Sequence, residues 1–447
     1  MPWWLVVAGL VVAVLSGWLV ISWLLGEADA GTTRAQARID AVRTGLTVIA
    51  GTGGAVGLVL AARRQWLSER AQRHQEQVAL ETGGHQDRVQ SHQERVAEQA
   101  RRHSERLAEM SEYDATERRI TDLYTKAVEL LGSERAAVRL GGLHALERLA
   151  GNHPAHRQTI VDLICAYLRM SREDGSDDGA AEGQVKRTAA LLLTRHLRPR
   201  DESLFWPDTH LDLSGAQLRD FSAAGCVLAE TNFVGTVFTG SADFTEAVFD
   251  GSVRLDGARF TDGTALFHRL DCRADALFTN VTFDCPVEFD DAVFARPAWF
   301  AEAAFSQGAS FRRVRFDDTS TFDRATFAGA TFSQATFHQG SSFEHAVFDG
   351  HTSFHRVQFR GMAMFRRAAF HGTLTFESAE FSKAAGFARA VFHDSMIFNH
   401  VSLSRKPNFD DARAAATTFH AWPPGWHGVA INDDWLAFTP RELPSGP

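Results

Sequence analysis

The stretch "ATFAGATFSQATF", residues 325–337, sets Phe327, Phe332 and Phe337 five apart, each with an Ala two places before it. A step of five suits no regular element by itself. On a helix it turns the side chain by about 140°. On a strand an odd step sends it to the other side. The stretch is part of a longer comb. From Phe283 to Phe398 stand 22 Phe residues, separated by eleven steps of five and ten of six in nearly strict alternation. The residue two before each Phe is Ala thirteen times, Val four times, and never charged.

One geometry keeps every Phe inside. The chain turns a corner within every five or six residues, and Phe shares the inner side of a short extended piece with the residue two before it. Four such pieces close a coil of about 22 residues, and this short internal period is the mark of a β-helix. Upstream the comb continues through Leu213, Leu218, Leu228, Phe233, Phe238, Phe244, Phe249, Leu255 and Phe260. A step of seven to Phe267 predicts a bulge at one corner near Thr261–Leu266, Cys272 fills the next inward place, and Leu403 and Phe409 finish the comb. At the spacing of stacked strands, about nine coils make a rod of about 43 Å. Even steps of five from Phe322 to Phe337 leave the opening stretch one residue short of the alternation. This predicts a tighter corner there, with Phe327, Phe332 and Phe337 all still pointing inward.

The rest of the composition agrees with repeated packing. The chain has 447 residues, a net charge of −9, and 34 Phe against 3 Tyr. Phe buries a large area without a polar handle. The mild charge carries no basic footprint, so no direct nucleic-acid partner is expected. Cys165, Cys226, Cys272 and Cys285 show no paired spacing and read as small buried residues.

Residues 2–26, "PWWLVVAGLVVAVLSGWLVISWLLG", and the run Thr44–Ala62 contain no charge. Their lengths predict two transmembrane helices, residues 1–62 forming a hairpin. Arg63, Arg64, Arg70 and Arg73 follow the second run, which places the bulk of the chain in the cytoplasm of a two-span cell-membrane protein. The competing reading is a signal peptide cleaved after "ADA", residues 28–30.

Residues 63–112 are polar. The fragments "HQEQV", "HQDRV", "HQERV" and "HSERL" put Val78, Val89, Val96 and Leu107 on one narrow stripe, as in a coiled-coil stalk, with Gly83–Gly84 interrupting it. A solvated single helix fits the same pattern. Residues 113–204 read as a small helical, HEAT-like module. Leu140, Leu143, Leu146 and Leu149 mark one buried face, and Ile160, Leu163, Ile164 and Tyr167 another. The acidic "EDGSDDGAAEG", 173–183, reads as an exposed loop. After the comb, Trp422, Trp426 and Trp435 in residues 414–447 read as a cap on the open end, or as an aromatic tail for a partner.

The unit A-x-F-x-x, with "GAQL", "ETNF" and "EAVF", resembles the pentapeptide-repeat family. The N-terminal half, with "VRLGGLHALERLAG" and "RTAALLLTRHLRP", looks like a membrane-anchored actinobacterial branch of it. The resemblance implies a right-handed, four-sided β-helix over residues 205–413. The expected fold class is therefore α+β multidomain: two transmembrane helices, a helical stalk and module, the β-helix and a short cap.

Function must then lie on the outward residues. No nucleophile elbow, metal-ligand pair or phosphate loop appears, so no catalytic, cofactor-binding or metal residue is assigned and no enzyme activity is expected. Pairs such as Asp290–Asp291 and Asp317–Asp318 read as solvated corner residues. Some members of the family resemble duplex DNA and bind topoisomerases. Residues 205–311 carry 16 acids against 6 Arg, as a mimic requires, but residues 312–413 carry 10 acids against 13 Arg and Lys. Duplex charge is uniform. The reading adopted is a membrane-anchored, non-catalytic scaffold for an unidentified protein partner on the cytoplasmic face, with self-association through the opposed charge halves. The alternative is a DNA-mimicking protein that binds and protects a topoisomerase.

Overall fold

The computed structural model describes residues 3–27, 34–170 and 179–441. Two units divide the chain, Met1–Asp114 and Ala115–Pro447. The first holds helix α1, Trp3–Glu27, and most of α2, which runs without interruption over Arg34–Leu131. Among the described residues no helix is long and apolar enough to cross a membrane. The expected two-span hairpin, the multi-pass membrane location with a cytoplasmic bulk, and the integral-membrane association are therefore not retained. The run Thr44–Ala62 has no ends of its own, since it is an internal part of a helix that continues into charged sequence. Five Gly and three Thr also dilute its nineteen residues. Gly9, Ser16, Gly17, Trp18 and Ser22 interrupt the first run. The cleavage-like "ADA" lies outside the described residues.

Gly83–Gly84 do not break α2. Each costs about 1 kcal/mol relative to Ala, which the surrounding Ala, Gln, Glu and Arg offset, helped by i,i+4 pairs such as Arg102 with Glu98 at 3.0 Å. On the expected stripe, Val89, Val96 and Leu107 are exposed; the side chain of Val78 lies outside the described residues.

In the second unit, α3 (Ala136–Asn152), α4 (Arg157–Arg169) and α5 (Gly179–His196) pack together. Leu143, Leu146, Leu149, Ile160, Ile164 and Leu168 are buried, as the helical spacing predicts, while Leu140, Leu163 and Tyr167 are only partly so. The acidic stretch is not loop throughout: residues 179–183 form the first turn of α5, and residues 171–178 lie outside the described residues. The cause is tertiary. Glu182 meets the fully buried guanidinium of Arg139 at 2.8 Å and accepts the Tyr167 hydroxyl at 3.1 Å. Arg139 also donates to the carbonyls of Ser133 and Glu134.

The comb forms four parallel sheets, one per side of the coil. We number the faces in chain order: face 1 begins at Leu211–Asp212, face 2 at Gln217–Arg219, face 3 at Ala242–Asp243 and face 4 at Val227–Leu228. Faces 1, 3 and 4 have nine strands; face 2 has twelve, because the C-terminal strands extend it. On face 2, Leu218 pairs with Phe238, then Phe260, Phe283, Phe305, Phe327, Phe348, Phe370 and Phe392, each with the next. The coils are thus 20, 22, 23, 22, 22, 21, 22 and 22 residues long. The 23-residue coil holds the extra residue expected near Thr261–Leu266, at the corner of Asp262 and Gly263. Gly263 there presses on the backbone of Gly240, where a Cβ would meet the carbonyl oxygen at 2.3 Å.

Every Phe of the comb from Phe233 to Phe409 is buried. Most stack along the axis and meet neighbours on other faces edge-on or tilted. Phe322 lies 4.9 Å from both Phe300 and Phe343, nearly parallel to each, and crosses Phe311 and Phe332 at 86° and 84°. Both arrangements suit the aromatic quadrupole. The first coil uses a swap that the comb does not announce. Ala223 occupies the inward place on face 3, and Phe221, two residues earlier, fills the space by packing on Phe233, Phe238 and Phe244.

Candidate functional site

The interior offers no room for chemistry. Phe fills the axis, and Ala, Val, Ser or Thr fills the place two residues earlier. Hydroxyls in that place mostly turn to main-chain carbonyls, Thr236 to Leu213 at 2.8 Å and Thr352 to Gly350 at 3.3 Å, while Ser320 Oγ has no partner among the described residues. The four cysteines are free and buried. Burial pushes the Cys165 thiol up to about 12 and those of Cys226 and Cys285 up to about 11, and it pushes Cys272 up further still. None is poised as a nucleophile. Among the described residues no group of three or more His, Cys, Asp or Glu could hold a metal ion.

Chemistry-bearing residues gather at the corners. Two of the four corners are tight turns such as Phe289–Asp290–Asp291–Ala292, closed by the Ala292 amide donating to the Phe289 carbonyl at 3.0 Å. The third residue is left-handed, with φ of 61° at Asp291, 60° at Glu302, 57° at Arg313 and Arg324, and 59° at Arg367. Early coils use Gly there, at Gly215, Gly225, Gly235 and Gly257. An L side chain costs roughly 1–2 kcal/mol in this conformation. The coil imposes it all the same at these corners.

Repetition stacks these corner residues into columns, and in the columns acids meet bases one coil away. Arg313 donates twice to Asp291, at 2.6 and 2.7 Å. Arg269 pairs with Glu246, Arg324 with Glu302, Arg366 with Glu344, and Arg389 with Asp411. Away from the tight turns, Arg273 bridges Asp250 and Asp271, and Arg259 meets Asp284. The hydrogen bonds from Arg313 hold the Asp291 carboxyl below its ordinary value. Asp290 accepts the Ser310 hydroxyl and the Arg312 amide. Asp317 meets Arg315 and His338, and Asp318 accepts the Thr319 amide. Both acid pairs singled out in the sequence are therefore corner residues with local partners.

Two further clusters sit at the ends of the solenoid; the sequence named the tryptophans of the C-terminal one but did not announce the N-terminal one. At the N-terminal end, His196 is nearly fully buried. Its Nε2 faces Glu147 Oε1 at 2.9 Å, its Nδ1 faces the Leu204 carbonyl at 2.7 Å, and its ring stacks on Trp206 at 3.9 Å. Both partners offer an acceptor oxygen to the ring. Burial alone would raise the Glu147 pKa, but hydrogen bonds from His196 and His144 bring it below its usual value. Next to this pair, α5 is joined to the first coil: the Leu197 carbonyl accepts the Val227 amide at 2.8 Å and the Thr194 carbonyl accepts the Cys226 thiol at 3.3 Å.

At the C-terminal end, a hairpin of Trp426–Ala430 and Trp435–Pro440 continues face 2 antiparallel to Arg413–Ala415. Phe438 stacks on Phe409 at 4.3 Å, and Trp426 meets the same ring edge-on at 5.1 Å. Of the three tryptophans named from the sequence, Trp426 is buried, Trp422 packs on Phe438, and Trp435 lies on the outer side beneath the Arg413 guanidinium.

The family described as Pentapeptide repeats (9 copies) matches residues 223–270, 271–315, 311–358 and 332–380. No curated protein and no solved structure matches the chain. The match covers residues 223–380 of the comb and gives no support to a membrane-anchored actinobacterial branch. With the four-sided coil and the A-x-F unit, it identifies residues 223–380 as pentapeptide repeats.

Proposed function

We propose that this chain is a non-catalytic protein-interaction scaffold that works through the outward residues of its coils. The closed interior carries the reading. Phe233 through Phe409 leave no cavity in which reactants could converge, and catalysis needs convergent groups in a cleft. What remains is a repetitive outer surface, and a solenoid gives a partner an extended one. The columns of acid–base pairs neutralise part of this surface. An acidic mimic of duplex DNA is accordingly the weaker reading: Glu246, Asp250, Asp284, Asp291 and Glu302 each have an Arg in contact, whereas phosphate charge is uniform and unneutralised.

The test is a scan with a photo-crosslinking residue placed at Met364, Thr326, Ser353 and Gln358, one outward position on each face, in living cells. Adducts confined to one or two faces are expected. Adducts spread evenly over all four faces, or none on any, overturn the reading. In a parallel supercoiling assay the chain is expected to leave a type II topoisomerase unaffected.

A further inference from the structure

The C-terminal hairpin is held to face 2 by an arrangement of ionisable rings that the repeat does not require. His371 and His393 follow Phe370 and Phe392, so they stand one coil apart at equivalent outward places. Their rings stack at 4.4 Å with planes 17° apart. Ala415 occupies the same place one coil further on, and its strand partner across the hairpin is Trp435. The small side chain leaves room for the His393 ring to reach Trp435, edge-on at 5.3 Å. Arg413 covers that indole at 4.5 Å. The sequence of contacts is thus His371, His393, Trp435, Arg413, running from the solenoid into the hairpin.

We propose that the His371–His393 stack is an acid-sensitive latch, closed while the His393 ring is neutral and weakened when that ring takes up a proton, so that the hairpin Trp426–Pro440 loosens from a solenoid that stays folded.

The charges around the pair support this. His371 and His393 are stacked on each other, so two imidazolium rings would be like charges in contact. Arg413 adds a fixed positive charge from the next strand. The nearby acids are Asp349, at the same outward place one coil before His371, Asp394, in the same corner, and Asp434, next to Trp435; Asp349 forms no ion pair with either ring among the described residues. Asp394 already accepts the Thr373 hydroxyl at 3.1 Å and the Ser395 amide at 2.6 Å, and Asp434 forms no ion pair with either ring among the described residues. Burial, then His371 and Arg413, hold the His393 pKa below its ordinary value. The sign follows directly. The closed hairpin binds the proton less readily than the open one, so closure weakens as the pH falls through the ordinary histidine range. The Phe columns of the solenoid have no titrating group and keep their stability over the same range.

The experiment is hydrogen exchange of the full chain, read by mass spectrometry from about pH 7.5 to about pH 5, across the imidazole range, and corrected for the intrinsic exchange rate. Opening of the segment 426–440 is expected to rise several-fold relative to the segment 322–337. The same rise in His371→Gln/His393→Gln, or no rise in the unaltered chain, overturns the proposal. If the double variant does not fold, His371→Gln alone serves: its rise is expected to be smaller, and an equal rise overturns the proposal. Arg413→Gln removes the fixed charge and is expected to reduce the rise as well; an undiminished rise there removes Arg413 from the latch.

Discussion

Phe327 stacks on Phe348 at 4.9 Å with the planes 5° apart, although 21 residues separate them. Phe305 stacks on Phe327 just as closely, at 4.7 Å, across 22. The column is blind to the missing residue because the corner absorbs it. Between Phe327 and Phe332 the corner is Ala328–Gly329, and the Gly350 of the next coil lies where a Cβ would meet the Ala328 carbonyl oxygen at 1.9 Å. Inserting one residue between Ala328 and Gly329 is therefore expected to restore a 22-residue coil with a stability change below about 1 kcal/mol, as loop insertions allow. One residue inserted between Ser333 and Gln334, in a tight turn, is expected to break the register downstream. Denaturant unfolding of the two variants separates the cases.

Gly350→Ala is expected to cost about 1–3 kcal/mol, the range for overpacking a close contact. The clash is with backbone, so no side chain can move aside. Gly257→Ala provides the contrast. Its φ is +66° but nothing lies within 4 Å of a Cβ there, so only the conformational cost remains, about 1 kcal/mol. Equal losses in urea unfolding would contradict this ordering.

The mid-column ring Phe322 tests the core itself. Phe322→Ala removes a fully buried ring and is expected to cost about 3–5 kcal/mol. Phe322→Leu largely keeps the volume and is expected to cost below about 1.5 kcal/mol. In a solenoid the damage stays close to the altered coil, so hydrogen exchange is expected to rise near residues 300–343 before it rises elsewhere.

At the other end of the solenoid, Glu147→Gln is expected to lose about 1–3 kcal/mol, the cost of leaving a buried partner poorly satisfied. Because the folded Glu147 pKa lies below its unfolded value, the pair's contribution is complete above the ordinary carboxylate range. It is lost as the pH falls through the folded value. The unaltered chain is expected to show this acid-side loss in thermal melts, and Glu147→Gln to lack it.

The cysteines give a simple readout of opening. With thiols at about 12 for Cys165 and about 11 for Cys226 and Cys285, a thiol reagent near neutral pH is expected to leave the native chain unmodified. All four are expected to react in the unfolding transition. Fast reaction of any one in the native state would place it on an open coil.

Much of this fold is legible in single residues. The Phe comb states its own inner side, the extra residue before Phe267 and the missing one after Phe327 both predict where coils change length, and each appears in the register. The apolar runs near the N-terminus misled, since a lack of charge does not by itself make a spanning helix and Thr44–Ala62 lies inside one that runs on to Leu131. The acidic stretch misled for another reason: Glu182 entered a helix because Arg139, far away in sequence, was already buried beside it.

What the sequence by itself determined is the solenoid, its coil length and its closed interior, because a period of five and six with a bulky ring at each tooth has one way to hide those rings. What only the tertiary structure decided is which charges meet. The pairs Arg313–Asp291, His196–Glu147 and His371–His393 join residues one coil or more apart. Their contact depends on the exact stacking register and on where the ends are covered, and neither is written in any local pattern.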